Sequence, residues 1–260
     1  MTLDEQVAII TGGTRGIGLA VARRLAADGC NLVLVYKSDD EQAATAEEEL
    51  RALGAQVWLH KGDLRKMPTV RGLFDVIKQG PDRIDILIHN AAFGAMGALD
   101  RIGPASWNAT FEVNVTTLLT LAQRALPWLR KRGGSIIGMS SIGSQVCYSD
   151  YAAMGCSKAA MEALIRYMAF EFISEGIRCN CVSGGPIETR ALGSFKDPDA
   201  VRNYARGMGP VGRMGTPQDM VGAVRFLVGS EASWMVGQTL LCDGGITLGI
   251  DFDDWKKERS

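Results

Sequence analysis

Histidine, a common metal ligand, is scarce in this sequence. Histidine occurs only twice in 260 residues, as His60 and His89. Six cysteines are scattered, mostly within apolar segments, and Cys179 and Cys181 lack the two-residue spacer of a zinc or redox pair. We therefore predict reduced, partly buried thiols and no metal site.

A strong excess of one charge and long hydrophobic runs are also lacking. The sequence has 28 basic and 29 acidic residues and no basic stripe, so we predict neither a nucleic-acid partner nor a membrane partner. No run of about 18 apolar residues is present to span a bilayer. Residues 1–6 carry two acids and no apolar core of a signal peptide. These absences predict a soluble, cytoplasmic protein.

What the sequence does contain is a regular alternation of short apolar runs and amphipathic stretches. With 47% hydrophobic residues, the chain can bury a sizeable core. We predict one α/β domain over residues 1–260, with a doubly wound (Rossmann), mainly parallel seven-stranded sheet and helices on both faces. Residues 190–213 are polar and weakly patterned, and we interpret them as a mobile substrate lid. The predicted strands are residues 7–10, 31–35, 56–60, 84–88, 134–139, 177–182 and 238–242.

A glycine-rich turn follows the first predicted strand. Gly12, Gly16 and Gly18 give the pattern G-x3-G-x-G between a strand and a helix, a variant of the dinucleotide-binding fingerprint. Glycine permits the tight turn and lets backbone N–H groups approach a pyrophosphate at the helix N-terminus. A plain strand–helix turn can also be rich in glycine. We favour nucleotide binding, by a turn that also contains Thr14, Arg15 and Ile17.

The residues after the second strand indicate which dinucleotide binds. Tyr36, Lys37 and Ser38 stand where an acid would hold the free ribose 2′-hydroxyl of NAD, and acids begin only at Asp39. Lys37 and Arg15 would attract a 2′-phosphate, which favours NADPH over NADH. The alternative is that both are solvated surface charges.

Further candidate cofactor contacts follow later strands. Asp63 and Leu64 come after the third strand, at the sheet edge where doubly wound proteins bind ligands. Asp63 would hold the adenine amine, and an ordinary turn aspartate is the alternative. Small residues after the fourth strand would allow a cofactor to lie against the backbone; the candidates there are Asn90, Ala91 and Ala92.

The stretch from Ser140 to Lys158 carries the candidate chemistry. It is predicted as a polar loop that leads into a helix, with Tyr151 and Lys158 seven residues apart, or two helical turns. Their Cα atoms would lie about 10 Å apart on one face, which suits two groups that grip different parts of one bound molecule. The alternatives are that Tyr151 packs on the core and that Ser140 and Ser141 are simple caps.

Asn114 stands inside a long helix predicted over residues 107–129. Asparagine has a below-average helix propensity. The residue is either a satisfied polar group of that helix or a carbonyl that orders a water near Lys158. The sequence leaves both interpretations open.

Taken as an ordered set, these motifs resemble the short-chain dehydrogenase/reductase family over residues 5–248. The usual family tetrad is asparagine, serine, tyrosine and lysine, with the tyrosine four residues before the lysine. Asn114, Ser141 and Lys158 fit it, but Met154 stands in place of the tyrosine. Tyr151 instead gives Tyr-x6-Lys, a spacing that resembles enoyl-acyl-carrier-protein reductases. The surrounding segments resemble type III of these enzymes, which depends on NADPH.

The resemblance implies reduction of the C=C bond of a trans-2-enoyl thioester, carried on acyl carrier protein, in fatty-acid or polyketide synthesis. Tyr151 would donate a hydrogen bond to the thioester oxygen, where an enolate develops. Lys158 would hold the nicotinamide ribose and lower the pKa of the phenol. Ser141 would help to position the substrate.

The resemblance also implies further contacts and an assembly. Gly185, Ile187 and Thr189, which follow the sixth strand, would fix the nicotinamide. A homotetramer would form through the long helices that hold Asn114 and Lys158.

Two alternatives stay open at this stage. A carbonyl (β-ketoacyl) reductase would use Tyr151 or Tyr148 to protonate an alkoxide directly. A catalytically silent, NADPH-binding subunit would follow from the loss of the phenol at position 154. Against that alternative, a silent site has no chemical need for Lys158, Asn114 and Ser141.

Overall fold

The structure, a computed structural model, describes residues 2–249 and is built around one sheet of seven strands. The spatial order of the strands is β3-β2-β1-β4-β5-β6-β7, and every neighbouring pair is parallel. This architecture confirms the predicted doubly wound sheet. The strands are β1 (Val7–Thr11), β2 (Asn31–Tyr36), β3 (Val57–Lys61), β4 (Ile86–His89), β5 (Gly134–Ser141), β6 (Ile177–Gly184) and β7 (Thr239–Cys242).

Helices alternate with the strands along the chain and cover both faces of the sheet. In β1, Ala8 and Ile10 pack in the core beneath the helices of residues 16–27 and 217–228. Val7 and Ile9 pack on the opposite face, beneath the helices of residues 67–79, 117–132 and 152–172. Burial on both faces explains why the strands are continuous apolar runs. The helices are α1 (Gly16–Ala27), α2 (Asp40–Ala52), α3 (Met67–Gln79), α4 (Pro104–Phe111), α5 (Thr117–Arg132), α6 (Ala152–Phe172), α7 (Pro198–Met208) and α8 (Pro217–Val228).

Proline and capping side chains determine where several helices begin. Helices α4, α7 and α8 start at Pro104, Pro198 and Pro217, in the first turn, where a missing N–H costs no helical hydrogen bond. Asp39 accepts a hydrogen bond from the N–H of Gln42 (3.2 Å) at the start of α2. These starts are local signals that the sequence carries on its own.

The strand order reverses at β1, which pairs with β2 on one side and with β4 on the other. Chain connections leave this point in opposite directions, which opens a crevice at the carboxyl ends of the two strands. The glycine turn after β1 and the Asn90 segment after β4 therefore border one crevice. The fold places the predicted cofactor residues at the same sheet edge.

The long helix predicted over residues 107–129 is interrupted. Helices α4 and α5 are joined by a π-helical turn, Glu112–Thr116, and Asn114 lies inside this turn. A π turn inserts an extra residue into the helical ladder and is frequent at functional sites. Hydrophobic periodicity alone does not reveal such an insertion.

The segment predicted as a lid, residues 190–213, has structure of its own. It contains a 3₁₀ turn, Arg190–Ser194, and helix α7. Its apolar side chains join a small separate cluster over the loop after β5; the buried members are Ile142, Leu192, Ala205, Met214 and Ile246. The mobility of the lid stays a prediction.

Within residues 2–249, no helix combines the length and the apolar character needed to cross a membrane. In the same part of the chain, no group of three or more His, Cys, Asp and Glu side chains is arranged to hold a metal ion. All six cysteines are free thiols, and three of them are buried: Cys30, Cys179 and Cys181. The charged tail, residues 251–260, predicted to be a surface segment, lies outside the described residues.

Candidate active site

The turn between β1 and α1 has a backbone that only glycine accommodates. Gly12 and Gly16 adopt φ values of +64° and +54°. A Cβ on Gly18 would lie 2.2 Å from the carbonyl oxygen of Gly12. The turn is thus a cradle of bare backbone at the N-terminus of α1, as a pyrophosphate requires. Around it, Thr14 is buried, Ile17 packs against the core and Arg15 is exposed.

Asn90 ties the glycine turn to the end of β4. Its Nδ2 donates to the carbonyl oxygens of Thr11 and Gly12, both at 3.0 Å. The hydroxyl of Thr11 in turn accepts the N–H groups of Asn90 and Ala91, at 3.0 and 2.9 Å. The sequence predicted only small side chains here, whereas the structure gives Asn90 a positioning role. Ala91 is half-buried and Ala92 is exposed at the crevice edge.

His89 extends this network and was not singled out from the sequence. Its Nε2 lies 3.0 Å from the carbonyl oxygen of Val113, so Nε2 carries the proton, and Nδ1 accepts from the Thr11 hydroxyl at 3.3 Å. Complete burial, together with the charge of Lys158, lowers the pKa of His89 to about 3. His89 is therefore a neutral strut between β1, β4 and the π turn.

The adenosine end of the crevice is a cluster of opposite charges. Asp63 pairs with Lys37 at 3.2 Å and accepts three side-chain hydrogen bonds from Arg65, which are 2.5, 3.0 and 3.1 Å long. The Arg65 guanidinium, together with Lys37, holds the pKa of Asp63 well below its usual range. Arg65 was missed by sequence reasoning, although it is only two residues from Asp63. The hydroxyl of Tyr36 donates to Asp40 (2.9 Å).

The remaining predicted residues at this end are placed less specifically. Ser38 is exposed in the loop after β2, and Leu64 packs against the core beneath α3. Among the described residues, neither side chain makes a contact that indicates a role in cofactor binding. Both assignments stay predictions.

The segment after β6 faces the glycine turn. The Cγ2 of Thr189 lies 3.8 Å from the position that a Cβ on Gly16 would take. Ile187 is held by a backbone bridge to Gly215, and a Cβ on Gly185 would lie 2.9 Å from the Cα of Asp243. Thr189 therefore lies across from the glycine turn, and the nicotinamide contacts assigned to Gly185, Ile187 and Thr189 stay predictions.

The candidate proton donor, Tyr151, is next to Ser141. Its hydroxyl donates to the Ser141 Oγ at 3.3 Å, and that oxygen also accepts the N–H of Gly143 at 3.2 Å. Tyr151 precedes α6 with φ −114° and ψ 6°. It therefore reaches the site from the helix cap and does not share a helical face with Lys158, which corrects the sequence-based geometry.

The pKa of the Tyr151 phenol is raised, mainly by burial, while the bond to Ser141 acts in the opposite direction. The sequence-based expectation was that Lys158 lowers this pKa. Burial has the larger effect on this pKa. The ring of Phe195, from the lid, covers Tyr151 and stacks on it with centroids 5.8 Å apart and planes 15° apart. The phenol therefore keeps its proton at neutral pH and acts as a donor.

Lys158 is buried within α6 and points at the end of β5. Its Nζ donates to the carbonyl oxygen of Met139 at 2.7 Å. Burial lowers the pKa of the ammonium to about 8, against the opposing effects of Cys181 and Glu162. At neutral pH the group is still mostly charged, as a ligand for ribose hydroxyls requires.

Asn114 acts as a clamp on the loop after β4. Its amide accepts the N–H of Phe93 (3.1 Å) and donates to the Phe93 carbonyl oxygen (3.0 Å) and to the Ser157 hydroxyl (2.8 Å). The structure places the side-chain carbonyl on Phe93, so the predicted water near Lys158 finds no support in it. The Met154 sulfur lies 3.5 Å from Asn114 Nδ2. Met154 also packs on Gly94, where its Cε would meet an added Cβ at 2.5 Å.

Tyr148 belongs to an aromatic group over the site. Its ring meets Tyr151 and Tyr204 edge-on, with centroids 6.1 and 6.0 Å apart. Its hydroxyl is buried and has no hydrogen-bond partner within residues 2–249. Burial raises the pKa of this phenol well above its usual value.

Comparison with known proteins identifies the family. Residues 12–247 match the family model described as enoyl-(acyl carrier protein) reductase. The chain belongs to the short-chain dehydrogenase/reductase family. It is therefore an oxidoreductase of a family that depends on nicotinamide cofactors, and its bare-backbone cradle fits such a cofactor.

Relatives within the short-chain dehydrogenase/reductase family differ in their reactions. The chain is 35% identical over 246 residues to 1-cyclohexenylcarbonyl-CoA reductase of Streptomyces collinus, covering 94% of this chain and 88% of that relative. It is 29% identical over 248 residues to the 3-oxoacyl-[acyl-carrier-protein] reductase FabG of Chlamydia pneumoniae, covering 95% and 99%. A gluconate 5-dehydrogenase from Burkholderia cenocepacia J2315, solved with NADP and tartrate, has a TM-score of 0.88 and 31% identity, covering 96% and 98%.

Proposed function

We propose that this protein is an NADPH-dependent reductase of the C=C bond of trans-2-enoyl thioesters. The observation that carries the proposal is the protonated phenol of Tyr151, held 3.3 Å from Ser141, while Met154 packs on Gly94 at the position of the family tyrosine. Similarity to 1-cyclohexenylcarbonyl-CoA reductase and to the enoyl reductase family model supports it.

Tyr151 would act where negative charge develops. When bound, the reduced nicotinamide supplies a hydride to the β-carbon of the enoyl group. The Tyr151 hydroxyl then donates a hydrogen bond to the thioester oxygen, which becomes an enolate oxygen. A phenol with a raised pKa suits this task because it donates a hydrogen bond without losing its proton. The Ser141 hydroxyl is a second group within reach of the same oxygen.

Lys158 would hold the nicotinamide ribose through its ammonium. The Nζ atom is anchored on the Met139 carbonyl oxygen and retains donor hydrogens for ribose hydroxyls. Protonation of the α-carbon completes the reaction, and we assign that proton to solvent.

The preference for NADPH is supported by charge at the adenosine end. Arg65 and Lys37 together outweigh Asp63, and Arg15 is exposed on the glycine turn. Cations in this position favour a 2′-phosphate over a free hydroxyl. The NADP-bound gluconate 5-dehydrogenase shows that a relative of this fold holds the phosphorylated cofactor.

Ketone reduction is the second candidate, favoured by the similarity to FabG. The same Tyr151 and Ser141 pair would then bind a ketone oxygen, and Tyr151 would transfer its proton to the alkoxide. In ketone reduction the hydride would go to the carbonyl carbon and the proton to its oxygen, whereas in enoyl reduction they would go to the β-carbon and the α-carbon, so the substrate decides between the two reactions.

The test is NADPH oxidation by purified protein with crotonyl, 1-cyclohexenylcarbonyl and acetoacetyl thioesters, each on coenzyme A and on acyl carrier protein, with NADH in parallel. We expect turnover of the enoyl thioesters with NADPH, reduced about 100-fold in Tyr151→Phe because an oxyanion donor is lost. Tyr167→Phe, which changes an exposed tyrosine on α6, is the matched control and should be unaffected. Turnover of acetoacetyl thioester alone would establish ketone reduction, and NADPH binding without turnover would indicate a silent subunit.

We also propose that the protein assembles as a homotetramer. Two large apolar side chains are exposed to an extent that isolated chains seldom show: Phe170 on α6 (83%) and Trp234 (96%). A tetramer would have about four times the chain mass of 28.0 kDa by light scattering. A monomer mass would contradict this part of the proposal.

A further inference from the structure

A carboxylate is buried inside the helix that carries Lys158. Glu162 is only 6% exposed. It lies four residues after Lys158 in α6, so the two side chains lie on the same face of the helix. A buried carboxylate is costly unless it has partners, and such a group therefore calls for an explanation.

Glu162 accepts hydrogen bonds from two serines that bracket Ser141. The hydroxyls of Ser140 and Ser144 both donate to its Oε1, at 2.5 and 2.7 Å. Ser140 directly precedes Ser141, the last residue of β5, and their side chains point to opposite sides of the strand. One helix residue thus fixes both ends of the turn that presents the Ser141 hydroxyl.

The same turn forms the floor beneath Tyr151. Gly143 lies between the two serines that Glu162 holds, and its N–H donates to Ser141 Oγ. A Cβ on Gly143 would lie 2.4 Å from the Tyr151 ring, so the ring rests directly on this backbone. A displacement of the turn would therefore move both Ser141 and Tyr151.

Glu162 also supplies the negative charge nearest to Lys158 along α6. Its charge opposes the effect of burial on the Lys158 ammonium. The other titratable groups that face Lys158 are Cys181 on β6 and His89 on β4. His89 is neutral, and burial raises the pKa of Cys181 to about 12, so neither is charged at neutral pH. Arg166, one turn further along α6, acts on Cys181.

We propose that Glu162 is a positioning residue with two tasks. Through Ser140 and Ser144 it fixes the turn that carries Ser141 and supports Tyr151. Through its charge, on the same face of α6, it favours the ammonium form of Lys158. It touches neither substrate nor cofactor.

The charge task is tested by the pKa of Lys158, measured from the ¹³Cε shifts of labelled lysines and assigned with Lys158→Arg. The proposal shares its site with the proposed function, but this titration needs neither cofactor nor substrate, so the two can fail separately. In Glu162→Gln we expect the pKa of Lys158 to fall by about one unit, the effect of removing one neighbouring opposite charge. Glu171→Gln removes the same charge from an exposed position of α6 and should leave it unchanged. Equal values in wild type and Glu162→Gln would overturn the charge task.

The clamp task is tested by comparing Glu162→Gln with Glu162→Ala at a pH below both Lys158 pKa values. Glutamine keeps an oxygen that accepts from both serines, whereas alanine removes it. With whichever thioester the wild type reduces, we expect kcat near the wild-type value for glutamine and about tenfold lower for alanine, with NADPH affinity retained in both. Circular dichroism and Tm identify variants that have lost their fold. Equal kcat in two folded variants would overturn the clamp.

Discussion

The cofactor half of the site is formed mainly by backbone, whereas the substrate half is formed mainly by side chains. In the cofactor half, the cradle consists of backbone: the glycine turn, held by the Asn90 amide on the carbonyl oxygens of Thr11 and Gly12. In the substrate half, the walls are aromatic side chains: Tyr151 contacts Tyr148 of the same loop and Phe195 of the lid.

This difference indicates which part of the site tolerates amino-acid substitutions. A backbone cradle leaves no space for an extra atom, so its sequence is restricted to glycine at particular positions. A side-chain wall can be rebuilt from other residues of similar shape. The relatives agree with this division, since they share the fold and differ in the substrates that their names record.

Gly18→Ala changes the glycine turn of the cofactor half and should have the largest effect, a loss of NADPH affinity. The new Cβ would lie 2.2 Å from the Gly12 carbonyl oxygen and 2.6 Å from Asn90 Nδ2, and neither atom can move without opening the cradle. Overpacking of this kind costs about 3 kcal/mol, which corresponds to roughly a 100-fold loss of NADPH affinity. Fluorescence titration with NADPH measures it.

The matched control is Gly193→Ala in the lid. A Cβ on Gly193 would meet no atom within 4 Å among the described residues, and its φ is not positive. We expect NADPH affinity and Tm within error of the wild type. If both glycine variants bound NADPH equally well, the cradle would not be the restrictive element that the comparison assumes.

The cofactor half was largely predictable because its signals are local. A strand, a glycine turn and a helix follow one another within residues 7–27, and each needs only its own sequence to be recognised. What escaped prediction there depends on tertiary contacts. His89 gives no sign in the sequence that its two nitrogens will bridge Thr11 and the Val113 carbonyl oxygen.

The substrate half was predictable in composition but not in geometry. The spacing of Tyr151 and Lys158 and the methionine at position 154 could be read directly from the sequence. The position of Tyr151 at the N-terminal cap of α6 could not be predicted, because the loop before the helix determines it. The π turn around Asn114 was hidden as well, since an inserted residue leaves the apolar pattern on both sides intact.

The raised pKa of Tyr151 shows the same limit. Sequence reasoning assigned the dominant effect to the charge of Lys158, a residue close in sequence. The structure gives burial the larger effect, and Phe195 lies 44 positions along the chain from the tyrosine that it covers. Long-range packing decides such values, and no local pattern records it.

Phe195→Ala removes an aromatic wall of the substrate half and should have a smaller effect than Gly18→Ala. It removes a stacking contact worth about 1 kcal/mol and exposes the Tyr151 ring to water. We expect roughly a fivefold loss in kcat/KM, with NADPH affinity unchanged. The pKa of Tyr151 should fall toward its usual value, because burial is what raises it.

The pKa is measured from the alkaline tyrosinate absorbance, as the difference between each protein and its Tyr151→Phe counterpart. Phe195→Leu is the control, because it keeps an apolar cover without the ring. It should retain the raised pKa and lose only the stacking energy. An unchanged Tyr151 pKa in Phe195→Ala would mean that the lid does not shield the phenol.

Asp150→Ala should have an effect no larger than that of Phe195→Ala, and it tests whether backbone conformation also restricts the substrate half. Asp150 has a φ of +61° directly before Tyr151, and its carbonyl oxygen accepts the N–H of Gly97 at 2.9 Å. Left-handed backbone costs alanine about 1 kcal/mol, whereas glycine adopts it freely and asparagine tolerates it. Urea unfolding should show Asp150→Ala destabilised by about that amount, with Asp150→Gly and Asp150→Asn near the wild type. If alanine and glycine were equally stable, backbone conformation would not restrict the substrate half at all, and the contrast with the cradle would be sharper than we infer.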